Sequence, residues 1–172
     1  MTTVLLLAGG KSSRMGIDKA KMYGGVRRLQ HIVQECGVSR CIVLCGGIER
    51  QSMFEGEVWP DPIHCHNLSE VLQWAFKQLV GPIQLICCDA FQLERDGLLL
   101  LLSSKGAVPL DELNKRQPLL ANCPKDFKIG DSDGTIRSLF SHLPSLNMGS
   151  QSYQMKNFNF PLDGYDDQQV GR

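Results

Sequence analysis

Thr3-Val4-Leu5-Leu6-Leu7-Ala8 is a short, unbroken apolar run that stops at Gly9-Gly10. It gives way at once to Lys11-Ser12-Ser13-Arg14-Met15-Gly16 and, just beyond, Asp18-Lys19. An apolar run without polar alternation is the pattern of a strand covered on both faces, as in a parallel sheet with helices packed above and below it. Two glycines at the end of such a strand let the backbone turn sharply and bring its N–H groups close to a ligand. Lys11, Ser12, Ser13, Arg14 and Lys19 add hydrogen-bond donors and positive charge, a combination that suits a polyphosphate. Neither common phosphate loop fits. Setting Gly10-Lys11-Ser12 on the Gly-Lys-[Ser/Thr] of a Walker loop puts Leu5 at its first glycine. Lys11 also stands where a Gly-x-Gly-x-x-Gly fingerprint needs its second.

The alternation continues down the chain. A helix is expected over about Leu29–Glu35 with Gly37 as its stop, then a buried strand over Cys41–Cys45 closed by Gly46-Gly47. Trp59-Pro60-Asp61-Pro62 reads as a turn or loop, because two prolines remove backbone donors that a sheet interior needs. Leu68, Val71, Leu72, Ala75, Phe76 and Leu79 recur at helical spacing over Leu68–Leu79. Gly81-Pro82 breaks that helix, and Ile83–Cys88 is a third strong strand, ending at Asp89. Leu98–Leu102 belongs to a further helix, with Glu94 and Asp96 near its start where the helix dipole favours anions. Strand, helix, strand, helix, strand predicts an α/β fold: a Rossmann-like, three-layer, doubly wound, mostly parallel sheet.

The second half is less regular. Pro118–Ala121 reads as a strand, Ile129–Gly134 as a surface turn, and Thr135–Leu143 as a helix carrying Ile136, Leu139, Phe140 and Leu143. Tyr153–Phe160 reads as a last extended segment, and Asp163–Arg172 as a loose polar end. No repeat or linker interrupts the chain, so its 172 residues are expected to form one domain, 1–172.

Composition bounds the function. Eighteen Lys+Arg against 18 Asp+Glu give no net charge, which argues against a nucleic-acid coat or a polybasic membrane binder. No apolar run approaches the roughly 20 residues of a membrane span, and no charged region precedes the first strand, so a cytoplasmic protein is expected. Seven cysteines include no CxxC pair. Cys41, Cys45, Cys87 and Cys88 fall in apolar strand patterns and read as small buried hydrophobes. His64-Cys65-His66 has a metal-like look, but two ligands on one face do not close a site.

Sites in doubly wound sheets lie at the carboxyl ends of the strands, where Leu7–Ala20 begins. Leu7-Ala8-Gly9-Gly10-Lys11-Ser12-Ser13-Arg14-Met15-Gly16-Ile17-Asp18-Lys19-Ala20 resembles the signature LAGG-x-S-x-R-M-G-x-D-K-A of the molybdenum cofactor guanylyltransferases, the MobA-like nucleotidyltransferases. Cys88-Asp89 resembles that family's C-D-x-P, Arg116-Gln117-Pro118-Leu119 its R-x-x-P-L-x-A, and Asn157–Asp163 its N-[IV]-N-T-P-E-D. The order of the motifs runs through nearly the whole chain.

The resemblance implies a nucleotide-diphospho-sugar transferase-like fold. The activity it implies is transfer of GMP from GTP to molybdopterin, with pyrophosphate leaving and Mg²⁺ required. By the same resemblance Leu7, Ala8, Gly9, Gly10, Lys19, Asp61 and Asp89 bind the nucleotide. Arg14, Lys19 and Asp89 are the catalytic set, Asp89 is the magnesium ligand, and Asn157 and Asn159 face the acceptor. A molybdenum-insertion protein and molybdoenzymes are the implied partners. The chain departs from the family at Gly46-Gly47, which stand where a guanine-reading Asn is usual, and at His64–Ser69, which replace a G-P-L-x-G stretch. A transferase using CTP or another nucleotide on a different phosphorylated acceptor, and a divergent non-catalytic nucleotide- or cofactor-binding paralogue, are the alternatives those departures raise.

Overall fold

The computed structural model describes residues 1–10, 19–130 and 133–158. Among the described residues five strands form the main sheet: β1 (Thr3–Leu7), β2 (Arg40–Gly46), β3 (Glu57–Pro60), β4 (Ile83–Cys87) and β6 (Asn122–Cys123). Their order is β3-β2-β1-β4-β6, with all neighbours parallel except β6, which runs antiparallel to β4. A second, two-stranded parallel ladder joins β5 (Val108–Pro109) to β7 (Ser145–Leu146). The helices are α1 (Gly25–Glu35), α2 (Leu68–Gln78), α3 (Arg95–Ser103) and the single turn α4 (Ile136–Leu139).

The period-2 geometry of strands sorts β1 residues between two cores. Val4, Leu6 and Ala8 pack with Val26, Leu29, Ile32 and Val33 of α1 and Leu98 and Leu101 of α3. Leu5 and Leu7 pack on the opposite face with Val71, Leu72 and Ala75 of α2, Leu139 of α4 and the adjoining Phe140. Both faces of β1 are covered and all five of its residues are buried, which is why it reads as an unbroken apolar run. The result is the expected three-layer α/β sheet. No helix among the described residues is long and apolar enough to cross a membrane.

Several boundaries differ from expectation. The Trp59-Pro60 segment is strand rather than loop. β3 is an edge strand paired on one side only, and Pro60 is its last residue, where a missing N–H costs no ladder bond. Helix α1 starts four residues before Leu29, because Gly24 at φ 84° turns the chain into it. Pro118–Leu120 is a 3₁₀ turn with proline at its start, and the strand follows it at Asn122. There Gln84 donates through Nε2 to the Leu120 carbonyl at 2.9 Å, and Asn122 Nδ2 donates to Gln84 Oε1 at 3.0 Å, which ties the short β6 to the sheet. The Thr135–Leu143 helix shrinks to one turn, though Thr135 caps it as a hydroxyl should. Gly149–Met155 is a 3₁₀ segment where an extended one was expected from Tyr153.

Candidate functional site

Because β3, β2, β1 and β4 are parallel, their carboxyl ends share one rim. The ladder continues past the strands. Ala8 N donates to Leu44 O at 2.9 Å, Cys88 N to Leu7 O at 3.0 Å and Asp61 N to Gly46 O at 2.7 Å. Along the rim the order is therefore Asp61, Gly46-Gly47, Ala8-Gly9-Gly10 and Cys88-Asp89. From β1 the chain proceeds to β2 and β3 on one side, then returns to place β4 on the other. The strand order reverses between β1 and β4, which is where doubly wound sheets open a ligand crevice. Gly9 and Gly10 are exposed at this point, while Leu7 and Ala8 are buried beneath them. Neighbouring strands lie about 4.8 Å apart, so three spacings separate Asp61 from Asp89 by roughly 14 Å. The two carboxylates are therefore too far apart to share one group.

Two arginines that the sequence reading did not single out fix this rim. Arg50, only 5% exposed, comes from the 3₁₀ segment Ile48–Met53. Its Nη2 donates to Ala8 O at 2.6 Å and its Nε to Cys45 O at 2.7 Å, and its guanidinium lies 5.8 Å from the Phe54 ring centroid. It thus holds the last peptides before both glycine pairs. Arg28 of α1 donates to the carbonyls of Leu93 at 2.7 Å, Phe91 at 2.7 Å and Ala90 at 3.1 Å, and so fixes the loop that follows Asp89. Burial lowers the Arg28 pKa, partly offset by the Glu94 charge. Both arginines bind main-chain carbonyls, which leave no residue-type signature in a sequence.

Asp89 stands two residues past the end of β4, half-buried, with Oδ1 enclosed. The Cys87 thiol donates to its carboxylate. Burial first, and the Asp89 charge second, push that thiol well above its ordinary pKa. Burial likewise raises Cys41 and Cys123 to about 12. Cys41, Cys87 and Cys88 pack against one core as the sequence pattern implied, and Cys123, which that pattern did not single out, is buried in the other. Asp61 is exposed, yet the adjoining protein wall desolvates its carboxyl and raises its pKa. Among the described residues no three His, Cys, Asp or Glu side chains converge as a metal cage. A single half-buried carboxylate does fit magnesium, which takes one or two protein carboxylates and completes its shell with phosphate and water. His64 and His66 are exposed. The His66 N–H donates to Glu70 at 2.6 Å while Asn67 caps α2, so this segment is a helix entry.

Asn157 is exposed beside a tightly held segment. Phe158, 1% exposed, packs against Phe91 at 5.3 Å between centroids, and Lys156 Nζ lies 4.8 Å from the Phe158 ring centroid. Gln154, fully buried, accepts from Glu94 N at 2.9 Å and donates to Asp96 Oδ1 at 2.8 Å. These contacts tie the segment that carries Asn157 to the loop after β4 and to the start of α3. Arg14 and Asn159 lie outside the described residues, as do Lys11, Ser12 and Ser13. Lys19 begins a 3₁₀ turn, Lys19–Gly24, that leads into α1; its side chain is likewise outside the description. Arg116 binds Ser145 Oγ at 2.7 Å and Leu143 O at 2.9 Å, away from the rim, in a structural role.

The family model for the MobA-like NTP transferase domain matches residues 4–142. Solved structures share the fold. A protein from Aquifex aeolicus VF5 superposes with a TM-score of 0.70 at 20% identity, over 91% of this chain and 92% of its own. The molybdopterin-guanine dinucleotide biosynthesis protein A from Archaeoglobus fulgidus gives 0.66 at 17% identity, over 99% and 96%. The 4-diphosphocytidyl-2C-methyl-D-erythritol synthase from Anaerococcus prevotii DSM 20548 gives 0.54 at 9% identity, over 99% and 96%. A search of curated proteins finds no match.

Proposed function

The chain belongs to the MobA-like NTP transferase domain family, and from that premise we propose that it transfers GMP from GTP to the terminal phosphate of a molybdopterin-type acceptor. An acceptor phosphate oxygen attacks the α-phosphorus, the bond from that phosphorus to the oxygen bridging to the β-phosphate breaks, and pyrophosphate leaves. The observation that carries this reading is the rim itself. Exposed Gly9-Gly10 follow β1 and Asp89, with Oδ1 enclosed, follows β4, on either side of the point where the strand order reverses, and the segment that carries Asn157 packs on the loop after Asp89 through Phe158 and Phe91.

Each group has a task that the chemistry requires. The Gly9 and Gly10 amides, with Arg14 and Lys19, neutralise the triphosphate and the charge that develops on the leaving pyrophosphate. Asp89 holds magnesium, which supplies further charge neutralisation on the phosphate oxygens when bound. Asp61, about three strands away, receives the nucleoside end. Asn157 and Asn159 orient the acceptor.

Gly46 and Gly47, in place of an asparagine, favour a second reading: a CTP-dependent transfer to a different phosphorylated acceptor. Pyrophosphate release from GTP and from CTP, with molybdopterin as acceptor, separates the two. Release from GTP that needs Mg²⁺ and is lost in Asp89→Ala supports the guanylyl transfer. Turnover of CTP alone moves the protein to the second reading, and release from neither nucleotide rejects the transfer to molybdopterin.

A further inference from the structure

We propose that Glu49 reads the base, and that the base is guanine. The inference rests on the proposed nucleotide transfer. With phosphates at Gly9-Gly10 and the acceptor segment tied to the β4 side through Phe158 and Phe91, the nucleoside extends the other way, over the ends of β2 and β3. Gly47 lies there with no side chain of its own. A Cβ built on it would run into both oxygens of the Glu49 carboxylate, so Glu49 fills the space in which a side chain from position 47 would begin.

The carboxylate is exposed, but the backbone that carries it is held. Arg50 N donates to Gly47 O at 3.0 Å, and the Arg50 guanidinium is locked onto the Cys45 and Ala8 carbonyls. Asp61 N donates to Gly46 O at 2.7 Å, which brings Asp61 to the same end of β2 as Gly47 and Glu49. Burial first, then the nearby Asp61 and Glu49 charges, raise the Cys45 thiol against the lowering effect of Arg50.

Acceptors of this kind select among bases. An ionised carboxylate accepts and cannot donate. Guanine presents two adjacent donors, N1–H and the 2-amino N–H, which pair with the two carboxylate oxygens as parallel charge-assisted bonds. Cytosine and adenine each set one amino donor beside a ring nitrogen lone pair, which would face the second oxygen. Uracil sets its single N–H between two carbonyls. Gly46-Gly47 therefore does not abolish guanine reading; the task passes two residues along the chain.

The test is calorimetric titration of the full chain with GTP, inosine triphosphate and CTP in magnesium buffer, on the wild type, Glu49→Gln and Glu49→Ala. A thermal melt of each variant checks that it folds. Inosine triphosphate differs from GTP only in lacking the 2-amino group. The wild type is expected to bind GTP about tenfold more tightly than inosine triphosphate, the scale of one charge-assisted bond, and CTP more weakly than GTP. Both variants should lose about tenfold or more in GTP affinity and bind GTP and inosine triphosphate alike. Equal wild-type affinity for those two, a preference for CTP, or undiminished GTP binding by Glu49→Ala overturns Glu49 as the reader and leaves a nucleotidyltransferase standing. Failure of the wild type to bind any of the three overturns the proposed function, and this inference with it.

Discussion

Gly9 and Gly46 lie back to back at the ends of neighbouring strands. A Cβ on Gly9 would sit 2.9 Å from Gly46 Cα, and one on Gly46 would sit 2.5 Å from Gly9 O. Gly46 also has φ 85°, a conformation that side chains other than glycine's rarely adopt. The two loops that cap β1 and β2 can touch only because neither residue carries a side chain there.

Restoring an asparagine at position 46 is therefore expected to damage the rim rather than improve base reading. Gly46→Asn combines left-handed strain with backbone overlap and should cost about 2 kcal/mol or more in stability. Urea unfolding of the purified variant checks this. An unchanged midpoint and slope would mean that the Gly9–Gly46 contact is not required.

Arg50→Met tests the clamp beneath the same loops. The substitution keeps much of the packing against Phe54 but removes the bonds to Ala8 O and Cys45 O, leaving buried carbonyls without these donors. A loss of about 2–4 kcal/mol is expected, because hydrogen bonds from a charged group are worth about 1.5–3 kcal/mol each and are not additive. Arg50→Lys, able to reach at most part of this geometry, should fall between. Thermal melts of the three proteins rank them, and equal melting points would remove the clamp from the account.

Asp61 gives a pH signature. Desolvation raises its pKa in the folded protein, so the folded state holds this proton more tightly than the unfolded chain does. Its charged form is a small penalty at neutral pH. That penalty is relieved as pH falls through the raised value and is gone below the ordinary value of 3.8. Asp61→Asn should accordingly melt slightly higher than wild type at pH 7 and equally at pH 3.5, while binding nucleotide more weakly. A lower melting point at pH 7 would show that the Asp61 charge is stabilised instead.

The parts of this fold that were legible in the sequence are those whose signal is local. β1, β2 and β4 are apolar runs because both their faces are covered, and α2 shows its buried Val71, Leu72 and Ala75 at helical spacing. Pro118-Leu119-Leu120 was misread because a short apolar run has no period of its own, and proline opens a 3₁₀ turn as readily as it precedes a strand. The rim glycines could be picked out because paired glycines at the end of a buried strand are chemically distinctive, and Asp89 because Cys88-Asp89 resembles the family's C-D-x-P. Arg50 and Arg28 could not, since they bind carbonyls 42 and 65 positions away in sequence at Ala8 and Leu93. Glu49 was hidden for a related reason: its carboxylate meets Gly47 only once the Ile48–Met53 turn has formed.

Gln154 should separate acceptor binding from nucleotide binding. Fully buried, it ties the segment that carries Asn157 to the start of α3 through Glu94 N and Asp96 Oδ1, and its amide fills the space above Gly97 that a Cβ there would need. Gln154→Leu has similar bulk but removes both bonds, at an expected cost of about 1–3 kcal/mol. The released strap lies on the β4 side, away from Asp61 and Gly46-Gly47. GTP affinity should therefore stay within about twofold of wild type, while the KM for the phosphorylated acceptor rises by about tenfold, the scale of one or two lost orienting contacts. Calorimetry with GTP and initial rates at varied acceptor concentration read the two effects separately. An equal loss in both would mean that Gln154 supports the whole rim, and an unchanged acceptor KM would remove the Asn157 segment from the acceptor site.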